Sequence, residues 1–144
     1  KKSNGKSLED ITFDTIRAYL SYVNKITSQY KHQVIINGVP AVNSIESNNL
    51  PENIAKESVN MVKLFNMILE REALLMGMEF LDVYSATVGE DEKSNKKWHI
   101  DDYHLTPLFY TQTDKWLIKP EVKKQEPITI DFSKHMTINL TKPS

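Results

Sequence analysis

Apolar positions along the chain fall into two kinds of pattern. Ile16, Tyr19, Leu20, Val23 and Ile26 recur at intervals of three and four, which predicts one helical face from about Phe13 to Tyr30. Asp and Thr side chains between Asp10 and Asp14 can accept bonds from the free amides of a first turn, so the helix is expected to start there. Gln33-Val34-Ile35-Ile36-Asn37-Gly38-Val39-Pro40 is instead a short, nearly continuous apolar run closed by Gly and Pro, the mark of a buried strand in a parallel sheet. Residues 41–52 are polar and rich in Asn and Ser, a long loop. From Pro51 or Glu52 to Met76 helical spacing returns, with Val59, Val62, Leu64, Phe65, Ile68, Leu69, Leu74 and Leu75 on a wide stripe that Gly77 stops. Met78-Glu79-Phe80-Leu81-Asp82-Val83-Tyr84 reads as a second buried strand, followed by a loop around Gly89 and a charged, solvated stretch over 90–97.

Helix, strand, loop, helix, strand in that order predicts an α/β domain with parallel crossovers over residues 1–114. Beyond it, 115–144 reads as a connector and a β extension. Lys115 to Gln125 is mostly polar. Pro127–Phe132 and Met136–Leu140 alternate apolar with polar residues around Ser133-Lys134-His135, as a hairpin would. Such a hairpin could pack on the sheet edge, begin a further domain or mediate assembly into a homo-oligomer.

Composition narrows the function classes. With 144 residues, 40% hydrophobic and 26% charged, the chain suits one domain that buries roughly two thirds of its unfolded surface. Eighteen Lys and Arg against 19 Asp and Glu leave a net charge of −1, with no excess to hold a nucleic-acid backbone. No apolar run reaches the roughly 18 residues of a membrane span. Zero cysteines exclude a disulfide framework, a zinc–thiolate site and a cysteine nucleophile, and fit either redox compartment. The opening Lys1-Lys2-Ser3-Asn4-Gly5-Lys6, without Met or an apolar signal region, reads as the interior of a longer polypeptide or a processed product.

Reactive groups are densest in Trp98-His99-Ile100-Asp101-Asp102-Tyr103-His104-Leu105-Thr106-Pro107. The run follows a predicted strand, where open α/β sheets place their ligands. A carboxylate three residues before an imidazole can fix its tautomer and stabilise the imidazolium while the other ring nitrogen faces a nucleophile. His99, Asp101, Asp102 and His104 also supply the donors of a divalent-metal site, a competing reading. Trp98 suits packing at the base of the loop better than a substrate wall. Asn43 to Asn49 follow the C-terminal end of a strand and by topology border any pocket there.

Asp101-Asp102-Tyr103-His104-Leu105-Thr106-Pro107 resembles the last conserved block of the SGNH (GDSL-like) hydrolases, an Asp-x-x-His followed by a small or apolar residue and often Pro. Val34-Ile35-Ile36 leading into Gly38-Val39-Pro40, Phe65-Asn66 within the next helix, and Gly77–Tyr84 before the motif follow the order of the C-terminal half of such enzymes, over roughly residues 10 to 110. The resemblance implies a flavodoxin-like three-layer α/β/α fold. It also implies ester hydrolysis or acyl transfer on a small-molecule or carbohydrate ester through a serine-bound acyl group, with no metal or organic cofactor. His104 would be the base and Asp101 its orienting acid, while Asp102 stands where relatives often carry a small residue. The family's Gly-Asp-Ser block and its oxyanion Gly and Asn have no counterpart here. Phe13-Asp14-Thr15 lacks the preceding Gly and sits at a helix start. The nucleophile is therefore expected on an N-terminal segment or companion chain outside these 144 residues. The competing class is a binding module that keeps the fold without the chemistry.

Overall fold

The computed structural model describes residues 5–43 and 49–121. Helix α1 runs Leu8–Thr27. It begins earlier than the Asp and Thr pattern suggests, because the Ser7 hydroxyl accepts the Asp10 N–H at 3.1 Å and so fills the N-cap. Its buried face is Thr12, Ile16 and Leu20, whereas Tyr19, Tyr22 and Ile26 are exposed. Ile16 and Leu20 of the expected apolar face are thus buried, whereas Tyr19 and Ile26 of that face point outward.

Strand β1 is Ile35–Asn37, the centre of the predicted run. Helix α2, Glu52–Leu75, matches the predicted span to within a residue. At its end Gly77 adopts φ +80°, a conformation that favours glycine, and its N–H donates to the Leu74 carbonyl at 3.0 Å. Strand β2 is Glu79–Leu81. It pairs in parallel with β1, Ile36 beside Phe80, so β1–α2–β2 is the expected crossover unit.

The second predicted strand is shorter than the run 78–84. Asp82 ends it by turning its carboxylate onto the Ser85 N–H at 3.1 Å, capping the short helix α3, Val83–Thr87. Two short 3-10 segments joined by a kink at Gln112 (φ −123°) span Pro107–Lys115, the first capped by Thr106, and lead into β3, Leu117–Ile118. That strand pairs antiparallel with β2, giving the sheet order β1–β2–β3. The polar connector expected from Lys115 onward therefore begins with a strand. The predicted hairpin over 127–140 lies outside the described residues.

The chain is thus a mixed α/β structure with a small mixed sheet. Alternation along β2 sends neighbouring side chains to opposite faces. Phe80 joins Ile16, Leu20, Ile36, Ile68, Leu69, Ala73 and Met78 under the two long helices. Leu81 joins Val83, Ala86, Trp98 and Phe109 on the other side. The second cluster covers β2 but not β1, so Ile35 is half exposed.

Two buried acids are matched locally. Glu72 bonds Arg17 of α1 at 3.1 Å and Arg71 at 3.0 Å, tying the helices together, and both guanidinium groups lie over the Phe13 ring. Glu79 is hydrogen-bonded by Gln33. Gly38 is required by close approach, since a Cβ there would stand 2.8 Å from Phe80 Cζ and 2.9 Å from Asn66 Oδ1. The Asn66 carboxamide straddles Val39, accepting its N–H at 2.7 Å and donating to its carbonyl at 2.9 Å, which fixes the loop leaving β1.

Candidate active site

Asp101 and His104 sit at the tip of a closed loop. Its neck is the antiparallel bridge His99–Leu105, with Thr106 N–H donating to the Trp98 carbonyl at 2.7 Å and Ile100 N–H to the His104 carbonyl at 2.9 Å. Trp98 anchors the neck in the second core cluster and meets the fully buried Phe109 edge-on, with ring centroids 5.5 Å apart. This is the packing role expected of it. Within the tip the Asp101 carboxylate turns back on the chain. Oδ1 accepts the amides of Tyr103 at 2.8 Å and His104 at 2.7 Å, and the His104 ring donates from Nδ1 at 2.8 Å to Oδ2 and 3.0 Å to Oδ1.

Those bonds set the electrostatics. The Tyr103 amide first, then the His104 amide and ring, hold the Asp101 carboxyl below its ordinary value, so it is ionised at neutral pH. A carboxylate against Nδ1 favours the tautomer that carries its proton there and leaves Nε2 as the acceptor. The pair is open to solvent, with the His104 side chain 72% exposed. Among the described residues no serine hydroxyl bonds to the His104 ring.

His99 faces elsewhere. Its Nδ1 is 2.7 Å from Ser94 Oγ, a hydroxyl that also accepts the Lys96 N–H at 2.9 Å. Burial pushes the imidazole below its ordinary value, against the opposing pull of Asp101 and Asp102. His99 is therefore neutral at pH 7. The metal reading needs His99, Asp101, Asp102 and His104 to converge. Among the described residues no group of three or more His, Asp or Glu side chains is placed to hold a metal ion, and the two rings are committed to Ser94 and Asp101.

Two residues that spacing alone does not single out help to build the site. Ser94 is buried in the middle of the expected solvated stretch, where its N–H donates to the Val42 carbonyl at 2.7 Å. Thr87, fully buried, accepts the Ala41 N–H at 2.9 Å. Asn43, placed by topology at the pocket border, donates from Nδ2 to the Asp101 carbonyl at 3.0 Å.

A separate groove of about 580 Å³ runs along α2, bordered by Leu64, Met67, Glu70, Asp82 and Tyr84, and includes neither Asp101 nor His104. Burial and then the Asp82 charge push the Glu70 carboxyl up. Among the described residues no helix is long and apolar enough to cross a membrane. Comparison with family models, curated proteins and solved structures finds no match to this chain.

Proposed function

We propose that residues 1–114 are the C-terminal part of an SGNH-like hydrolase domain of flavodoxin-like three-layer form, acting on a small or carbohydrate ester. The observation that carries this reading is the Asp101–His104 contact. The carboxylate is held by two backbone amides, the imidazole is oriented through Nδ1, and Nε2 is left free on an open loop. That arrangement suits a general base for a hydroxyl nucleophile. The order of β1, α2, β2 and the Asp-x-x-His loop supports it further.

In this reading the serine lies on a segment or companion chain outside residues 1–144. His104 Nε2 takes the serine proton as Oγ bonds to the ester carbonyl carbon, and the C=O electron pair moves onto oxygen. Collapse of that intermediate breaks the ester C–O bond, and His104 returns the proton to the departing alcohol. Water, or an acceptor alcohol in acyl transfer, then repeats the sequence on the acyl-serine. Asp101 keeps the ring in register and stabilises the imidazolium without itself being protonated.

The test is ester turnover by the complete polypeptide that contains this chain. His104→Ala is expected to abolish turnover and leave folding nearly intact. Unchanged turnover in that variant contradicts the assignment.

A further inference from the structure

Three successive residues of the loop leaving β1 are each bound to the segment that carries the Asp101–His104 pair. Ala41 N–H bonds Thr87 Oγ1, the Val42 carbonyl bonds the Ser94 N–H, and Asn43 Nδ2 bonds the Asp101 carbonyl. The first two contacts use the main chain at residues 41 and 42, which nearly any residue offers. The third needs this side chain. Asn43 is 7% exposed, and its loop is tied to the end of β1 by Asn66 and by the close approach at Gly38, so the Nδ2 bond links the Asp101 backbone to that end of the strand.

What it anchors is weak alone. A carboxylate–imidazole contact this open to water gains little from its own attraction and holds only if the backbone around it is held. The bridge at His99–Leu105 closes the neck of the loop, and the Asn43 bond reaches the tip itself.

We propose that Asn43 is a positioning residue for the pair: by holding the Asp101 carbonyl it keeps the Asp101 carboxylate turned in on the Tyr103 and His104 amides and on the His104 ring. The role rests on the reading of that pair as orienting acid and base. Asn43 touches no reacting atom. It acts through the Asp101 backbone and couples the dyad to the C-terminal end of β1.

The experiment is NMR on the full chain, following the titration of the Asp101 carboxyl and the exchange of the Tyr103 and His104 amides. Asn43→Ala is compared with Val59→Ala, which truncates a buried residue of α2 and controls for lost stability alone. Asn43→Ala is expected to return the Asp101 midpoint toward the ordinary carboxylate value and to speed both amides, and Val59→Ala to shift neither. An Asp101 midpoint unchanged in Asn43→Ala overturns the proposal. If Asn43→Ala does not fold, Asn43→Leu keeps the side-chain volume, removes the amide donor without adding a charge, and is read the same way. The parent chain gives a check without any variant: Asn43 side-chain amide protons exchanging as freely as those of the exposed Asn24 overturn the proposal too. Failure of the hydrolase reading shows up separately, because full turnover in His104→Ala removes the base and leaves these titrations as they are.

Discussion

On one face of β2, Phe80 is packed by side chains from two long helices; on the other, Leu81 rests on a layer that is mostly loop. The first layer is aliphatic and aromatic, closed by ridges at helical spacing, with one buried acid neutralised by two arginines. The second has a smaller apolar cluster around Trp98 and Phe109 and is otherwise held by single hydrogen bonds, among them Ala41 to Thr87, Val42 to Ser94 and Asn43 to Asp101. Apolar burial supplies bulk stability without direction, whereas hydrogen bonds supply direction with little net stability. The layer that carries the Asp101–His104 contact is the one built from directional contacts.

Breaking the helical layer should therefore cost most. Phe80→Ala removes a fully buried ring from the larger cluster and is expected to lower unfolding stability by about 3–5 kcal/mol, read from denaturant unfolding. Gly38→Ala attacks the junction of the two layers. Its Cβ would collide with the Phe80 ring and the Asn66 carboxamide, for a loss of about 1–3 kcal/mol. A result near zero for Gly38→Ala would mean that the loop leaving β1 is not fixed as described.

The loop layer should declare itself through pH. His99 is held below its ordinary value of 6.5, so the unfolded chain binds a proton that the folded chain resists. Stability is therefore expected to fall as the pH drops through 6.5 and to be retained above it. His99→Gln should flatten that slope, a check made by thermal unfolding between pH 7.5 and 5.5. Asp101 acts in a different window: its carboxyl is depressed, so its contribution is present above its ordinary value of 3.8 and is lost as the pH falls through the folded value. The smallest expected effect is that of His104→Ala on folding, close to none in denaturant unfolding, because the contact it removes is exposed.

The same division explains what could be read from the sequence. Helix α2 and its stop at Gly77 were legible because spacing and a positive-φ glycine are local signals. Asp101 and His104 were legible for a similar reason, since three residues are enough to bring them into contact. Tyr19 misled on the face of α1 because a tyrosine counts as apolar in a periodicity yet tolerates solvent at its hydroxyl. Strand β2 stopped early because Asp82 found a helix amide to cap, a contact that the apolar Val83 and Tyr84 masked. Strand β3 is two residues long and owes its existence to β2, more than thirty residues earlier, so no local pattern announces it. Ser94 lies buried within a charged run, and Asn43 meets Asp101 across 58 residues of chain. Long-range directional contacts leave no periodicity.

The central claim, that His104 is the base for a serine outside residues 1–144, is tested most directly by covalent capture. The complete polypeptide or complex would be treated with a fluorophosphonate, which phosphonylates an activated serine, and the label located by mass spectrometry. The account predicts a single labelled serine outside residues 1–144, with labelling lost in His104→Ala and unfolding of that variant unchanged. Labelling that persists in His104→Ala, or no labelled serine at all, would contradict it.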